Sequence, residues 1–144
     1  MPRSNRAMFA DCRLFHVYCR GVNGATIFRD DDDRLLWVSL LARTVDRFSW
    51  TLWTYCLMSN HFHVVLEAGL DDVSRGMHRL NGTYAQRYNR RHKRRGHLFQ
   101  DRFGLRAIDD ETQLDNVCAY VRGNPVRAGL CDGPDDWPWS ASAL

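Results

Sequence analysis

The stretch SNHFHVVL at residues 59–66 determines the sheet that we predict for this 144-residue chain. Side chains of an extended strand repeat every second residue, so His61 and His63 point to one face and Phe62 to the other. The branched apolar residues that follow continue a strand rather than a helix. Two neutral imidazoles side by side form half of a metal site, which three or four ligands usually complete. The stretch therefore predicts a strand with one apolar face and one metal-binding face.

The segments around this stretch complete an α+β plan. An acid run at residues 30–33 precedes apolar residues at helical spacing, and negative charge stabilises a helix N-terminus. The predicted order is strand, helix, two strands, helix, strand and a last helix; apart from the first helix, the segments are 14–20, 50–58, 61–67, 73–91, 99–107 and 111–122. This order is the ferredoxin-like split βαβ plan, an antiparallel sheet with two helices on one face and an extra C-terminal helix.

The plan assigns each strand residue to one of two faces. Phe62 and its apolar neighbours at every second position should pack under the first two helices, while His61 and His63 look out from the opposite face. From the first strand, His16 shares this open face with Tyr18 and Arg20. For His16, both a hydrogen-bonded structural role and metal ligation stay open.

Length and composition indicate one domain spanning residues 1–144, with a flexible N-terminal segment at 1–13 and a C-terminal tail at 131–144 docked on the core. The apolar stretches are too short for a membrane span, and the N-terminus lacks the apolar region of a secretory signal. Five scattered cysteines without a C-x-x-C pair favour reduced thiols in a cytoplasm. We therefore expect a cytoplasmic, nucleoid-associated protein with no membrane partner.

Basic residues concentrate in one segment of a chain whose net charge is only +3. A local basic patch on a nearly neutral domain is typical of a polyanion-binding surface. Arginine offers planar, bidentate contacts to phosphate, although a GC-rich genome gives the same arginine bias and a plain solvated loop is the rival interpretation. The residues that we predict to contact DNA are Arg90, Arg91, Lys93, Arg94, Arg95, Gln100 and Arg102.

The last predicted helix carries a tyrosine beside its packing stripe. Leu114 and Val121 mark that stripe, while Tyr120 lies off it, with Asn124 one turn further along the same polar edge. If the helix crosses the open face of the sheet, Tyr120 and Asn124 come close to the imidazoles. A phenol is a poor nucleophile at its usual pKa of about 10, and a divalent cation nearby favours the phenolate. The oxygen of Asn124 could then be a third metal ligand.

Four motifs in this order resemble the HUH single-tyrosine transposases, in the branch of REP-associated tyrosine transposases: SNHFHVVL, GHLFQDRF (96–103), YVRGNPVRAG (120–129) and WPWS (137–140). The resemblance implies a ferredoxin-like fold and a Mg²⁺- or Mn²⁺-dependent endonuclease that acts on single-stranded DNA. It implies Tyr120 as the nucleophile and His61 and His63 as metal ligands, and Asn124 matches the family motif by position. Many relatives have histidine where this chain has Arg122.

The leading hypothesis is a transposase that cuts and rejoins single-stranded DNA through a 5′-phosphotyrosine link. Its expected partner is DNA with hairpin or palindromic elements, bound by a monomer or a homodimer. One alternative is an HUH nuclease of the replication-initiator or relaxase kind. The other is a DNA-binding regulator without catalysis, which metal-dependent nicking of hairpin-bearing strands would exclude.

Overall fold

The computed structural model describes residues 12–141, which form an antiparallel sheet with helices on both of its faces. Most of the expected N-terminal segment, residues 1–13, lies outside this range. Within residues 12–141, no helix combines the length and the apolar character that crossing a bilayer requires. The elements in chain order are β1 (Leu14–Arg20), α1 (Asp31–Arg47), β2 (Thr51–Leu57), β3 (His61–Glu67), α2 (Leu70–Arg91), β4 (Gly104–Ala107), α3 (Glu111–Arg127) and β5 (Ser140–Ala141).

The strands follow the spatial order β4-β1-β3-β2-β5, and every neighbouring pair is antiparallel. The pairing of β1 with β3 sets Tyr18 opposite His63 and Arg20 opposite His61. Paired residues of neighbouring strands project to the same face of a sheet. The predicted α+β fold, with two helices on one face and an extra C-terminal helix, is confirmed.

The main core lies between the sheet and the helices α1 and α2. Phe62, in β3, is fully buried, and its ring centroid lies 4.7 Å from that of Trp37 in α1. Phe15 and Val17 of β1 and Met77 of α2 are also fully buried in this cluster. Burying such a side chain stabilises the fold by about 1.5–3 kcal/mol. The apolar face predicted for the third strand is therefore the core face.

The third helix extends past residue 122, where the sequence pattern predicted its end. Proline usually ends a helix, yet α3 includes Pro125 and continues to Arg127. The helix ends where Gly129 takes a φ of 76° and the N–H of Leu130 donates to the carbonyl of Pro125. This glycine-terminated arrangement satisfies carbonyl groups that the helix end would leave unpaired. The added turn brings further polar side chains onto the helix.

The fourth strand is shorter than the predicted span 99–107. Phe99 forms an isolated bridge with Gly21, but continuous pairing begins only where Gly104 faces Tyr18. Four residues, 100–103, thus span a distance that two residues cover on β1, so the chain loops outward between the two contacts. A Cβ atom on Gly104 would lie 2.2 Å from the Tyr18 ring, so only glycine fits beneath that ring.

The described part of the C-terminal tail lies against the outer edge of the sheet. The indole N–H of Trp137 donates to the carbonyl of Leu57 at 2.9 Å, and the Leu57 N–H donates to the carbonyl of Trp139 at 2.9 Å. Strand β5 then pairs with β2 through Ser140 and Ala141. The tail residues 142–144 lie outside the described range.

Candidate active site

Three imidazoles form a cluster on the face of the sheet opposite the main core. His16 Nε2 lies 2.8 Å from His63 Nδ1, and the rings of His61 and His63 stand nearly perpendicular with centroids 5.1 Å apart. His61 Nδ1 lies 2.7 Å from the side-chain oxygen of Asn60. The period-2 pattern of the sequence predicted that His16, His61 and His63 share a face. Of the two roles left open for His16, this contact favours the hydrogen-bonded one.

The protein environment keeps these imidazoles neutral. Burial, followed by the neighbouring His16, lowers the pKa of His63 to about 3, and Arg20 and Arg127 add smaller effects. Burial, with help from Arg106, lowers the pKa of His16 to about 4. The pKa of His61 is lowered as well, by burial and then by Arg20. A neutral imidazole has a free nitrogen lone pair, so the cluster suits metal binding at neutral pH.

Helix α3 crosses the same face of the sheet. Its buried residues Leu114 and Val121 pack against Cys56 of β2 and Val65 of β3 in a second apolar cluster. Cys56 pairs with His63 across the two strands, so this cluster directly adjoins the imidazoles. The crossing that the sequence analysis posed as a condition is present. The polar edge of α3 thus runs along the border of the histidine cluster.

Tyr120 lies on this edge with 54% of its surface exposed. The guanidinium carbon of Arg127 lies 4.2 Å from the centroid of the Tyr120 ring, a cation–π contact. The same guanidinium donates to the carbonyl of Tyr120 and influences the pKa of His63. Arg127 is therefore a link between the tyrosine and the imidazoles. The sequence analysis did not single it out, although its position seven residues after Tyr120 places both on one helix edge.

The side-chain oxygen of Asn124 accepts a hydrogen bond from Arg127 in this arrangement. Arg127 donates to Asn124 Oδ1 at 3.1 Å, and Asn124 Nδ2 is buried without a hydrogen-bond partner among residues 12–141. In that part of the chain, no three His, Cys, Asp or Glu side chains are grouped to hold a metal ion. Burial raises the pKa of the neighbouring Cys56 thiol to about 12. The role of Asn124 as a third ligand stays a prediction.

The basic segment predicted to contact DNA divides into two groups. Arg91 bonds to Asp30 and Asp33 at the start of α1, and Arg94 donates to the carbonyls of Gly96 and His97. Arg91 thus fixes the end of α2 against α1, and Arg94 fixes the loop that follows α2. The other group consists of exposed cations that form no ion pair within residues 12–141: Arg90, Lys93 and Arg95.

Gln100 and Arg102 lie exposed on the outward loop before β4. They line a cavity of about 950 Å³ between this loop and α2, together with Phe99 and Phe103. The backbone N–H of Gln100 donates to the carbonyl of Arg20 at 2.9 Å. The loop is thereby tied to the end of β1 that pairs with His61.

Further cations surround the imidazoles themselves. Arg20 lies at the end of β1 and Arg106 lies on β4. Both lower pKa values within the histidine cluster. The guanidinium carbon of Arg106 lies 5.5 Å from the centroid of the Tyr18 ring. With Arg127, these side chains make the surface around the imidazoles positive and suited to phosphate.

Comparison with known proteins gives a family and two related folds. The family model described as "Transposase IS200 like" matches residues 13–124. The structure of the REP-associated tyrosine transposase bound to a REP hairpin matches with a TM-score of 0.66 at 16% identity, over 89% of this chain and 75% of that chain. A proposed transposase from Deinococcus radiodurans R1 matches with a TM-score of 0.52 at 12% identity, over 81% of this chain and 89% of that chain. No match was found among curated proteins.

Proposed function

Because the chain belongs to the IS200-like transposase family, we propose that it nicks and rejoins single-stranded DNA, with Tyr120 as the nucleophile. The observation that carries the proposal is the arrangement on one face of the sheet. Neutral imidazoles of His61 and His63 lie beside a helix whose exposed Tyr120 is held by Arg127. A DNA-binding protein without catalysis requires neither the neutral imidazole pair nor an exposed phenol next to it.

We propose that His61 and His63 bind Mg²⁺ or Mn²⁺, with Asn124 as a third ligand. The residues fit such an ion, since among residues 12–141 the Nε2 atoms of both histidines make no hydrogen bond and an amide oxygen lies on the adjoining helix. Asn124 Oδ1 accepts one hydrogen bond from Arg127 and keeps a second lone pair that a metal ion could use. When bound, the ion polarises the scissile phosphate and neutralises the charge that develops there.

The proposed reaction transfers the phosphoryl group twice, first to Tyr120 and then to a second DNA end. The Tyr120 oxygen forms a bond to the phosphorus while the bond from phosphorus to the 3′ oxygen breaks, and the proton lost by the phenol is balanced by one that the departing 3′ oxygen takes up from solvent. A 5′-phosphotyrosine link and a free 3′-hydroxyl result. A second 3′-hydroxyl then attacks the link, which restores Tyr120 and joins the strands without ATP. Arg127 aligns the ring and adds positive charge next to the phosphate.

The proposed substrate is single-stranded DNA that contains a hairpin, encountered in the nucleoid. One related structure is bound to a REP hairpin, and the basic surfaces of this chain suit a phosphate backbone. Exposed Arg90, Lys93 and Arg95 would contact phosphates, as would Gln100 and Arg102 on the loop next to the site. Helix α3, which carries Tyr120, packs on the imidazole face of its own chain, which supports a site formed within one protomer.

Replacement of Tyr120 by Phe tests the nucleophile. With hairpin-bearing single-stranded DNA and Mg²⁺ or Mn²⁺, the unmodified protein should form a covalent protein–DNA adduct that survives denaturing electrophoresis. Tyr120→Phe should form none, because the ring stays and only the attacking oxygen is lost. Tyr18→Phe is the matched control, since Tyr18 is another phenol on the same face. An adduct that persists in Tyr120→Phe and disappears in the control would assign the attack to Tyr18.

A regulator that binds DNA without cutting it is the second candidate function. It is favoured by Arg127, which occupies the oxygen of Asn124, and by Arg122, which stands where many relatives have histidine and which bonds to Asp135. Binding of hairpin DNA with no nicking in either Mg²⁺ or Mn²⁺ would select this function.

A further inference from the structure

Each of the two central histidines has one ring nitrogen engaged by a neighbouring side chain. For His61, that nitrogen is Nδ1, which lies 2.7 Å from Asn60 Oδ1. An amide oxygen only accepts hydrogen bonds, so Nδ1 of His61 must carry the proton. A neutral ring has one N–H, and Nε2 of His61 therefore keeps its lone pair. The backbone holds this geometry, because the Asn60 carbonyl accepts from Gly21 and the His61 carbonyl accepts from Met58.

His63 is engaged in the same way by a different residue. Its Nδ1 lies 2.8 Å from Nε2 of His16, whose side chain is buried with only 7% of the residue exposed. A hydrogen bond between two neutral imidazoles needs one N–H and one lone pair. If His63 Nδ1 donates, Nε2 of His63 keeps its lone pair. If His16 donates instead, Nε2 of His63 carries a proton and cannot bind a metal.

We propose that Asn60 and His16 are positioning residues that accept hydrogen bonds from Nδ1 of His61 and His63 and so present both bare Nε2 atoms to one metal ion. The inference rests on the proposed function, since that function supplies the ion. Histidines that bind metals commonly donate their second ring N–H to an oxygen or another acceptor, which fixes the tautomer and the ring orientation. Here two unrelated elements provide the acceptors: the turn before β3 and the strand β1.

The pairing also explains why His16 is buried on a face that carries the site. Its ring centroid lies 5.0 Å from that of His63, with 28° between the two ring planes, and 5.4 Å from that of Tyr18. The Tyr18 ring in turn packs directly on Gly104, where a Cβ atom would collide with it. The position of His16, and through it that of His63, is thus fixed by packing from β1 and β4.

The tautomers can be measured without any metal. Two-dimensional ¹H–¹⁵N spectra of the histidine rings in the metal-free, full-length protein distinguish a protonated ring nitrogen from a bare one. We expect Nδ1 protonated and Nε2 bare in both His61 and His63. A spectrum with Nε2 protonated in either ring would overturn the inference for that histidine. This measurement does not depend on whether the protein cuts DNA.

Metal affinity tests the positioning role. Titration with Mn²⁺, followed by electron paramagnetic resonance, should show about 10- to 100-fold weaker binding in Asn60→Ala and His16→Phe, since loss of an outer partner typically costs that much affinity. Asn60→Asp and His16→Gln keep an oxygen that can accept from Nδ1 and should recover most of the binding. Thermal unfolding of each variant separates lost positioning from lost folding, and the Gln variant covers the case in which His16→Phe does not fold.

The outcomes distinguish this inference from the proposed function. Unchanged Mn²⁺ affinity in folded Asn60→Ala and His16→Phe would overturn the positioning role even if the protein nicks DNA. Absence of Mn²⁺ binding in the unmodified protein would instead contradict the metal-assisted function, while the ring spectra still decide which nitrogens are bare.

Discussion

Arg127 is the residue that connects the tyrosine helix to the histidine cluster. Its planar guanidinium lies over the Tyr120 ring and donates to two oxygens, one on Tyr120 and one on Asn124. Lysine keeps the charge but cannot stack as a plane or donate in a fixed fork. The contacts of Arg127 therefore depend on its shape as well as its charge.

Replacement of Arg127 by Lys should slow DNA cleavage about 10- to 100-fold, corresponding to the roughly 1.5–3 kcal/mol of a charge-assisted hydrogen bond. The measurement is the single-turnover nicking rate on hairpin-bearing DNA. Arg122→Lys is the matched control, because Arg122 is on the same helix but bonds to the exposed Asp135. Equal rates in the two variants would remove Arg127 from the site.

The buried imidazoles give the metal-free protein an acid limit. The pKa of His16 is about 4 in the folded chain, against 6.5 ordinarily, so the unfolded chain binds the proton first. Stability is then complete above about pH 6.5 and declines as the pH falls toward 4. From pH 7 to pH 5, His16 alone should cost on the order of 2 kcal/mol of unfolding free energy. Urea unfolding at both pH values measures the loss, which His16→Gln should reduce; an unchanged loss in that variant would contradict the assignment.

At this scale, sequence spacing predicts which residues share a face but not what they bond to. The strand period placed His16, His61 and His63 together correctly, because alternation is fixed by the backbone. It could not identify Arg127, since the last turn of α3 lies beyond a proline that normally ends a helix. It also could not separate Arg91 from the exposed cations nearby, because the ion pairs of Arg91 with Asp30 and Asp33 cross the fold and leave no mark in local sequence.

Among the elements, the junction between α1 and α2 depends on one buried carboxylate. Asp33 is only 1% exposed and accepts from the backbone of Arg29 and from the side chains of Arg91 and His92. The acid run was predicted to mark a helix start, and Asp30 does cap α1 by accepting from the Asp33 N–H. The fourth aspartate has a different task, which is to bind the C-terminal end of α2.

Replacement of Asp33 by Ala should destabilise the protein by roughly 2–4 kcal/mol, somewhat less than for a fully buried pair because Arg91 is partly exposed. Chemical denaturation of the metal-free protein measures the change. Asp31→Ala is the control from the same helical turn, since its side chain is exposed and, within residues 12–141, pairs only with Arg34; this variant should change little. Similar losses in both variants would mean that the acid run acts through general helix charge alone.

Element boundaries were predictable where the pattern was strong. The third strand matches its predicted span because alternation continues without interruption from His61 to Glu67. The fourth strand starts five residues later than predicted (104 rather than 99). Between its contacts with Gly21 and Tyr18, this segment has two more residues than β1, and they loop out. Such a mismatch between paired strands depends on the partner strand and is not visible in one segment.

At the scale of the whole molecule, the surface has two separate basic regions. The exposed cations Arg90, Lys93 and Arg95 lie in the last turn of α2 and just after it, whereas Arg20, Arg106 and Arg127 surround the imidazoles. The sequence predicted the first region from its density of charge. The second region comes from three distant segments, and only the fold brings them together.

Replacement of Arg90, Lys93 and Arg95 by Gln should lower the slope of log affinity against log salt for single-stranded DNA by about 2, at about 0.7 per phosphate contact. Equilibrium binding at several salt concentrations measures the slope. Arg43→Gln is a control from α1, because this exposed arginine lies near the C-terminal end of α1, whereas the basic segment is bonded to the N-terminal end of that helix. An unchanged slope in the triple variant would show that these three side chains do not contact the DNA backbone.

The sheet has two edges, and the strand at each edge is very short: β4 with four residues and β5 with two. Strand β2 is rich in Thr, Trp, Tyr and Leu, a composition that readily recruits further β-strands. Unpaired peptide groups along such a strand are a template for aggregation. By pairing Ser140 and Ala141 with this edge, the tail covers β2, so its removal would leave that strand exposed and promote self-association of the protein.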